Sequence, residues 1–152
     1  MVLRRQVTET WVRELELNQE LLSFGRAGRA LGAHDDRAMA WAAFSLGLEV
    51  AYIPSLRLLH LIPPQRLDRD YLGRLLHGMA YSGEFFVSAR SSRPPPAPPP
   101  FVALRKLRRY IFSGAAFSPF AYVWWRHYCG ILDARTAWHN SATRDATPPT
   151  LG

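Results

Sequence analysis

Eight residues in the middle of the chain, Arg93-Pro94-Pro95-Pro96-Ala97-Pro98-Pro99-Pro100, constrain the fold more than any other stretch. Proline fixes φ and carries no amide hydrogen, so six prolines in eight residues remove the donors that a helix or a sheet requires. The segment must be a stiff polyproline-II spacer. A boundary falls there, with residues 1–92 before it, a basic and aromatic stretch over 101–139 after it, and a polar tail over 140–152. At 152 residues the chain has room for one domain of ordinary size and no second.

On the N-terminal side, Val7, Trp11, Leu15 and Leu22 recur at helical spacing and predict a first helix over 8–22, with Trp11 in the core. Gly25, Gly28 and Gly32 mark a basic loop. The pair Asp35-Asp36 can cap a helix through Met39, Ala42, Ala43 and Leu46, and Gly47 suits its C-terminal stop. Two β-like runs follow, 48–53 and 57–62, separated by Pro54-Ser55 and closed by Pro63-Pro64. Asp68 is the expected cap of a long helix with an apolar stripe of Tyr71, Leu72, Leu75, Leu76, Met79 and Phe86. Alternating helices and short buried strands read as part of an α/β sheet.

Charge and cysteine usage narrow the setting. Nineteen basic against twelve acidic residues give +7, which favours phosphate-rich partners or an anionic membrane surface. A single cysteine, Cys129, forms no internal disulfide, and the start shows no apolar signal core, so a reducing cytoplasmic setting is expected. The uncharged run 110–125 is broken by Ser113, Gly114, Ser118 and Pro119. It falls short of the ~20 apolar residues of a spanning helix but suits a peripheral position at the inner face of a membrane.

The order Asp35-Asp36, a helix ending at Gly47, Tyr52-Ile53-Pro54 at a strand end, and then His60 resembles the family 2 glycosyltransferases, inverting enzymes with the GT-A fold. Leu61-Ile62-Pro63-Pro64-Gln65-Arg66-Leu67 and Asp70-Tyr71-Leu72 extend the likeness to a bacterial subgroup of that family. It covers residues 1–90. The family's nucleotide-binding half, with its metal-holding Asp-x-Asp, has no counterpart here. The resemblance therefore implies the C-terminal part of an α/β GT-A-like domain, followed by a mostly helical extension, with little turnover in isolation.

It also implies roles. Asp36 is the general base that takes the proton of an acceptor hydroxyl, and a carboxylate at a helix N-terminus stays ionised for that task. Asp35 and Arg66 touch substrate, and His60 helps hold a divalent metal, Mg or Mn, that counters the leaving diphosphate. The partners implied are a nucleotide sugar, an acceptor glycan or lipid, and the missing N-terminal half or a second copy of the chain. Each residue also has a plainer reading: capping for Asp35 and Asp36, a core position for His60, and a surface ion pair for Arg66.

The C-terminal stretch leaves two readings open. Arg105, Lys106, Arg108 and Arg109 adjoin Tyr110-Ile111-Phe112, and Phe117, Phe120, Tyr122, Trp124 and Trp125 follow. That pattern suits a non-enzymatic module on an anionic membrane surface, or a helix pair packed on a protein partner. No helix-turn-helix, zinc-finger or RNA-binding signature accompanies the charge, so nucleic acid is not expected.

Overall fold

The computed structural model describes residues 4–17, 26–27, 30–31, 34–49, 51, 54–55, 57, 59–91 and 93–142. Five helices carry the architecture: α1 (Arg5–Leu17), α2 (Asp35–Ser45), α3 (Arg69–Ser91), α4 (Val102–Phe112) and α5 (Pro119–Ala142). A 3-10 turn, Pro64–Arg66, precedes α3. The described β structure is one antiparallel pair of two-residue strands, β1 (Arg26–Ala27) and β2 (Ala30–Leu31).

The helix boundaries follow from local chemistry. Asp68 Oδ2 accepts from the amides of Asp70 and Tyr71 at 2.9 and 3.2 Å, the expected cap of α3. Ser118 does the same for α5, its Oγ accepting from Ala121 N at 3.3 Å, with Pro119 in the first helical position. Gly47 and Gly114 end α2 and α4 with positive φ, 68° and 72°. In both, the glycine amide and the one after it reach back to carbonyls of the last turn: Gly47 to Phe44 and Leu48 to Ala43, then Gly114 to Ile111 and Ala115 to Tyr110.

The α/β expectation is overturned. Residues 48–49, 51, 57 and 59–62, read above as parts of two strands, form neither strand nor helix, and the remaining positions of those runs lie outside the described residues. Among the described residues no strand lies beside these runs, and Pro54, Pro63 and Pro64 bound them closely. Leu59 and Leu61 stand exposed. The partial GT-A-like sheet is therefore replaced by a helical assembly. Two smaller readings also shift: α1 begins at Arg5 rather than at residue 8, the expected part 18–22 lying outside the described residues, and α2 begins at Asp35, with His34 rather than an aspartate in the position before it and no side-chain cap.

α3 and α5 form the central seam. Passing up α3 through Gly73, His77, Glu84 and Phe85, the partners on α5 advance through Tyr122, Asp133, Arg135 and Trp138, so the two helices run parallel. Parallel neighbours need a return path, and the proline run supplies one. Residues 93–100 in polyproline-II span about 25 Å, and the 11 residues of α4 add about 16 Å. Together they retrace the roughly 36 Å of the 24-residue α5. The run lies against α5: Pro95 is buried and its carbonyl accepts from His139 Nε2 at 3.2 Å.

The seam is close because its contact residues are small. A β-carbon at Gly130 would sit 2.3 Å from the His77 carbonyl oxygen, and one at Gly73 would meet the Tyr122 ring at 2.7 Å. Ala80 and Ala134 are buried alongside. At the upper end of the seam α1 and α2 add Val7, Trp11, Ala38, Ala42 and Ala43 to Phe85, Phe86 and Ala134, which makes the principal core. Arg90 binds Glu14 at 2.7 Å and ties α3 to α1.

Candidate functional site

The residues that the sequence singled out for sugar transfer do not assemble around a metal. Asp35 and Asp36 share the first turn of α2, where Asp36 is exposed and its Oδ1 accepts from the amide of Arg37 at 2.7 Å. His60 and Arg66 belong to the exposed connection leading into α3, Arg66 closing its 3-10 turn. Tyr52 and Ile53, which carried the strand end of the resemblance, lie outside the described residues. Among the described residues no group of three or more His, Cys, Asp or Glu gathers where a metal ion would be held.

A polar cluster that sequence spacing does not reveal lies between α3, α4 and α5. Asp133 accepts from His77 Nε2 at 3.0 Å and pairs with the Lys106 ammonium. Burial pushes its carboxyl upward, but the two hydrogen bonds and the charges of Lys106 and His77 outweigh that and hold it below the usual carboxylate range. Cys129 is buried nearby, and burial raises its thiol, so it presents no thiolate. The cluster lies between helices but stays partly open to solvent, with the Asp133 side chain 38% exposed, and its physical role is to pin α4 onto the seam. His77 and Asp133 are far apart in sequence and meet only because α3 and α5 are parallel.

α4 is held by its inner face alone. Trp125 Nε1 donates to the Lys106 carbonyl at 2.9 Å, and the Tyr110 and Trp125 rings meet edge-on at 4.9 Å. The helix runs antiparallel to α5, since Lys106 faces Asp133 and Tyr110 faces Trp125. Its outer face repeats Leu104, Leu107 and Ile111 at helical spacing, all exposed, and Leu107 is 55% accessible. Exposed aromatics continue this surface at both ends: Phe101 before α4, Phe112 at its last turn, Phe117 in the turn at 92%, and Phe120 and Trp124 on α5.

Basic side chains border the apolar stripe. Arg105, Arg108 and Arg109 occupy the adjoining face of α4 and line a cavity of about 530 Å³ with Phe112, Ser113 and Tyr128. No acidic residue occurs in the chain between Glu84 and Asp133, whereas Arg90, Arg93, Arg105, Lys106, Arg108, Arg109 and Arg126 do. The result is a surface that is apolar in the middle and uniformly cationic at the edge. An exposed apolar patch of this kind marks a binding surface rather than a failure of packing.

Among the described residues no helix is long and apolar enough to cross a membrane. Scanned against protein-family models, curated proteins and solved structures, the chain matches none, so the likeness to glycosyltransferases rests on the quoted motifs alone.

Proposed function

We propose that this protein is a non-enzymatic module that docks on an anionic membrane surface through α4 and the turn into α5. The observation that carries the reading is the outer face of α4, with Leu104, Leu107 and Ile111 exposed beside Arg105, Arg108 and Arg109. An occupant of this surface must be apolar and anionic at once, as the headgroup boundary of an acidic leaflet is. A second copy of the chain would set cationic edge against cationic edge, which disfavours self-association through this face. Inverting sugar transfer by Asp36 has no observation of comparable weight in its favour, since it draws on strands that the helical architecture replaces.

The magnitudes are adequate. Fully burying an aliphatic side chain is worth about 1.5–3 kcal/mol, and each arginine near an acidic surface adds about 1 kcal/mol. Three aliphatics and three arginines, even half engaged, reach the range of reversible peripheral binding. A leaflet facing the cytoplasm has the matching charge.

The test is flotation of the full chain with phosphatidylglycerol/phosphatidylcholine vesicles and with phosphatidylcholine vesicles alone. Capture by the acidic vesicles that weakens with salt and falls at least ~10-fold in a Leu107→Glu, Ile111→Glu double variant supports the reading. Absence of capture at low salt, or undiminished capture of that variant, overturns it and leaves a protein partner as the occupant.

A further inference from the structure

The arginine-lined cavity beside the stripe has its own chemistry. Arg105, Arg108, Arg109 and Phe112 follow one another at helical spacing on one face of α4, and Tyr128 of α5 closes the other side. The Arg109 guanidinium lies 4.8 Å over the Tyr128 ring, and that of Arg108 lies 6.0 Å from the Phe112 ring centroid. Arg105 spends its Nε on the Pro100 carbonyl at 3.2 Å, which fixes the side chain and leaves its terminal nitrogens to donate. None of the three is paired with a carboxylate among the described residues, and the neighbouring ammonium of Lys106 is committed to Asp133. The carbonyls of Arg109, Tyr110 and Ile111 accept from the amides of Ser113, Ala115 and Gly114, and the charged side chains that line the cavity are the three guanidiniums. The Tyr128 hydroxyl adds a neutral donor, whereas that of Ser113 donates to the Tyr110 carbonyl at 3.4 Å.

We infer that this cavity recognises a phosphate monoester carried by a membrane lipid, the headgroup seating among Arg105, Arg108 and Arg109 while Leu104, Leu107 and Ile111 enter the leaflet beside it. The inference rests on the membrane reading and deepens it. Three forked cations suit a group with three terminal oxygens and a charge between one and two, and a phosphodiester offers two such oxygens and a single charge. The position fits as well, because the cavity adjoins the apolar stripe around the helix, at the level headgroups occupy when that stripe is buried.

The experiment compares vesicles of phosphatidylcholine with phosphatidic acid against phosphatidylcholine with phosphatidylglycerol, matched for surface potential. Full-length protein is expected to bind the phosphatidic acid vesicles at least ~10-fold more tightly. In an Arg108→Gln, Arg109→Gln double variant, whose fold is checked by circular dichroism, that preference should vanish while phosphatidylglycerol binding falls only a few-fold. Equal binding to both vesicle types, or a preference that survives in the variant, overturns the inference while leaving membrane docking intact. Failure on every acidic vesicle overturns both. Glycerol 3-phosphate that binds in solution without any vesicle capture assigns the cavity to a free phosphate and likewise overturns the lipid assignment.

Discussion

The seam between α3 and α5 and the outer face of α4 invert the usual expectation of which side chains lie inside. Gly73, Gly130, Ala80 and Ala134 are buried, whereas Leu104, Leu107, Ile111, Phe112 and Phe117 are exposed. Hydrophobicity alone does not sort these residues; backbone separation does. Where two helices approach closely, only small residues fit, and dispersion across the contact replaces bulk. Where one helix is attached by a single face, its large apolar residues remain exposed. One region is held by shape, and the other is the surface proposed above to meet a membrane.

Substitutions that strike the two regions separately will break or sharpen that contrast. Phe86 is 1% exposed at the end of the seam where all the core helices except α4 meet, so Phe86→Ala should lower unfolding free energy by about 4 kcal/mol in denaturant titration. Gly130→Ala places a methyl against backbone and should lower it by roughly 3 kcal/mol. A loss below about 0.5 kcal/mol there would show that the seam is looser than described.

Asp133→Asn leaves Lys106 without its counter-charge and, with the carboxylate 38% exposed and so partly screened by solvent, should lower stability by roughly 1 kcal/mol at neutral pH. It should also flatten the acid limb of the stability curve. The folded carboxyl titrates below its unfolded value of about 3.9. Its contribution is therefore present above that value and is lost as pH falls through the lower folded one. Thermal melts across that acid range, on wild type and variant, read the difference.

The smallest effect belongs to the outer face. Leu107→Glu with Ile111→Glu should change stability by less than about 0.5 kcal/mol, because both residues are more than half exposed. A large loss would mean that the stripe packs against the protein after all.

Legibility in the sequence divides along the same line. Features settled by adjacent residues were readable: Asp68 as the cap of α3, Gly47 as the stop of α2, the polyproline segment, and the basic aromatic stretch beyond it. Features that depend on distant pairing were not. The apolar runs around Leu48 and Leu61 look like strands because short buried strands and irregular apolar segments share composition, and only a partner strand distinguishes them. The expected stripe on α3 included Leu72 and Leu76, yet its tightest contacts are made by Gly73 and Ala80, whose importance emerges only when α5 lies alongside. Trp11 is buried as its helical spacing predicts, whereas Trp41, on α2, stands half exposed. Of the site, the mixture of arginine and aromatic residues was visible. Which arginines share a face with Tyr128 was not, because that requires α4 and α5 to run in opposite directions.

The proline run also acts as a ruler. In a polyproline-II helix one residue advances the chain by about 3.1 Å and turns it by a third of a revolution. Deleting a single proline would therefore shorten the strut and swing everything downstream of it around its axis. Surface connections usually absorb insertions and deletions, but this one sets by its residue count which side of α4 is offered outward.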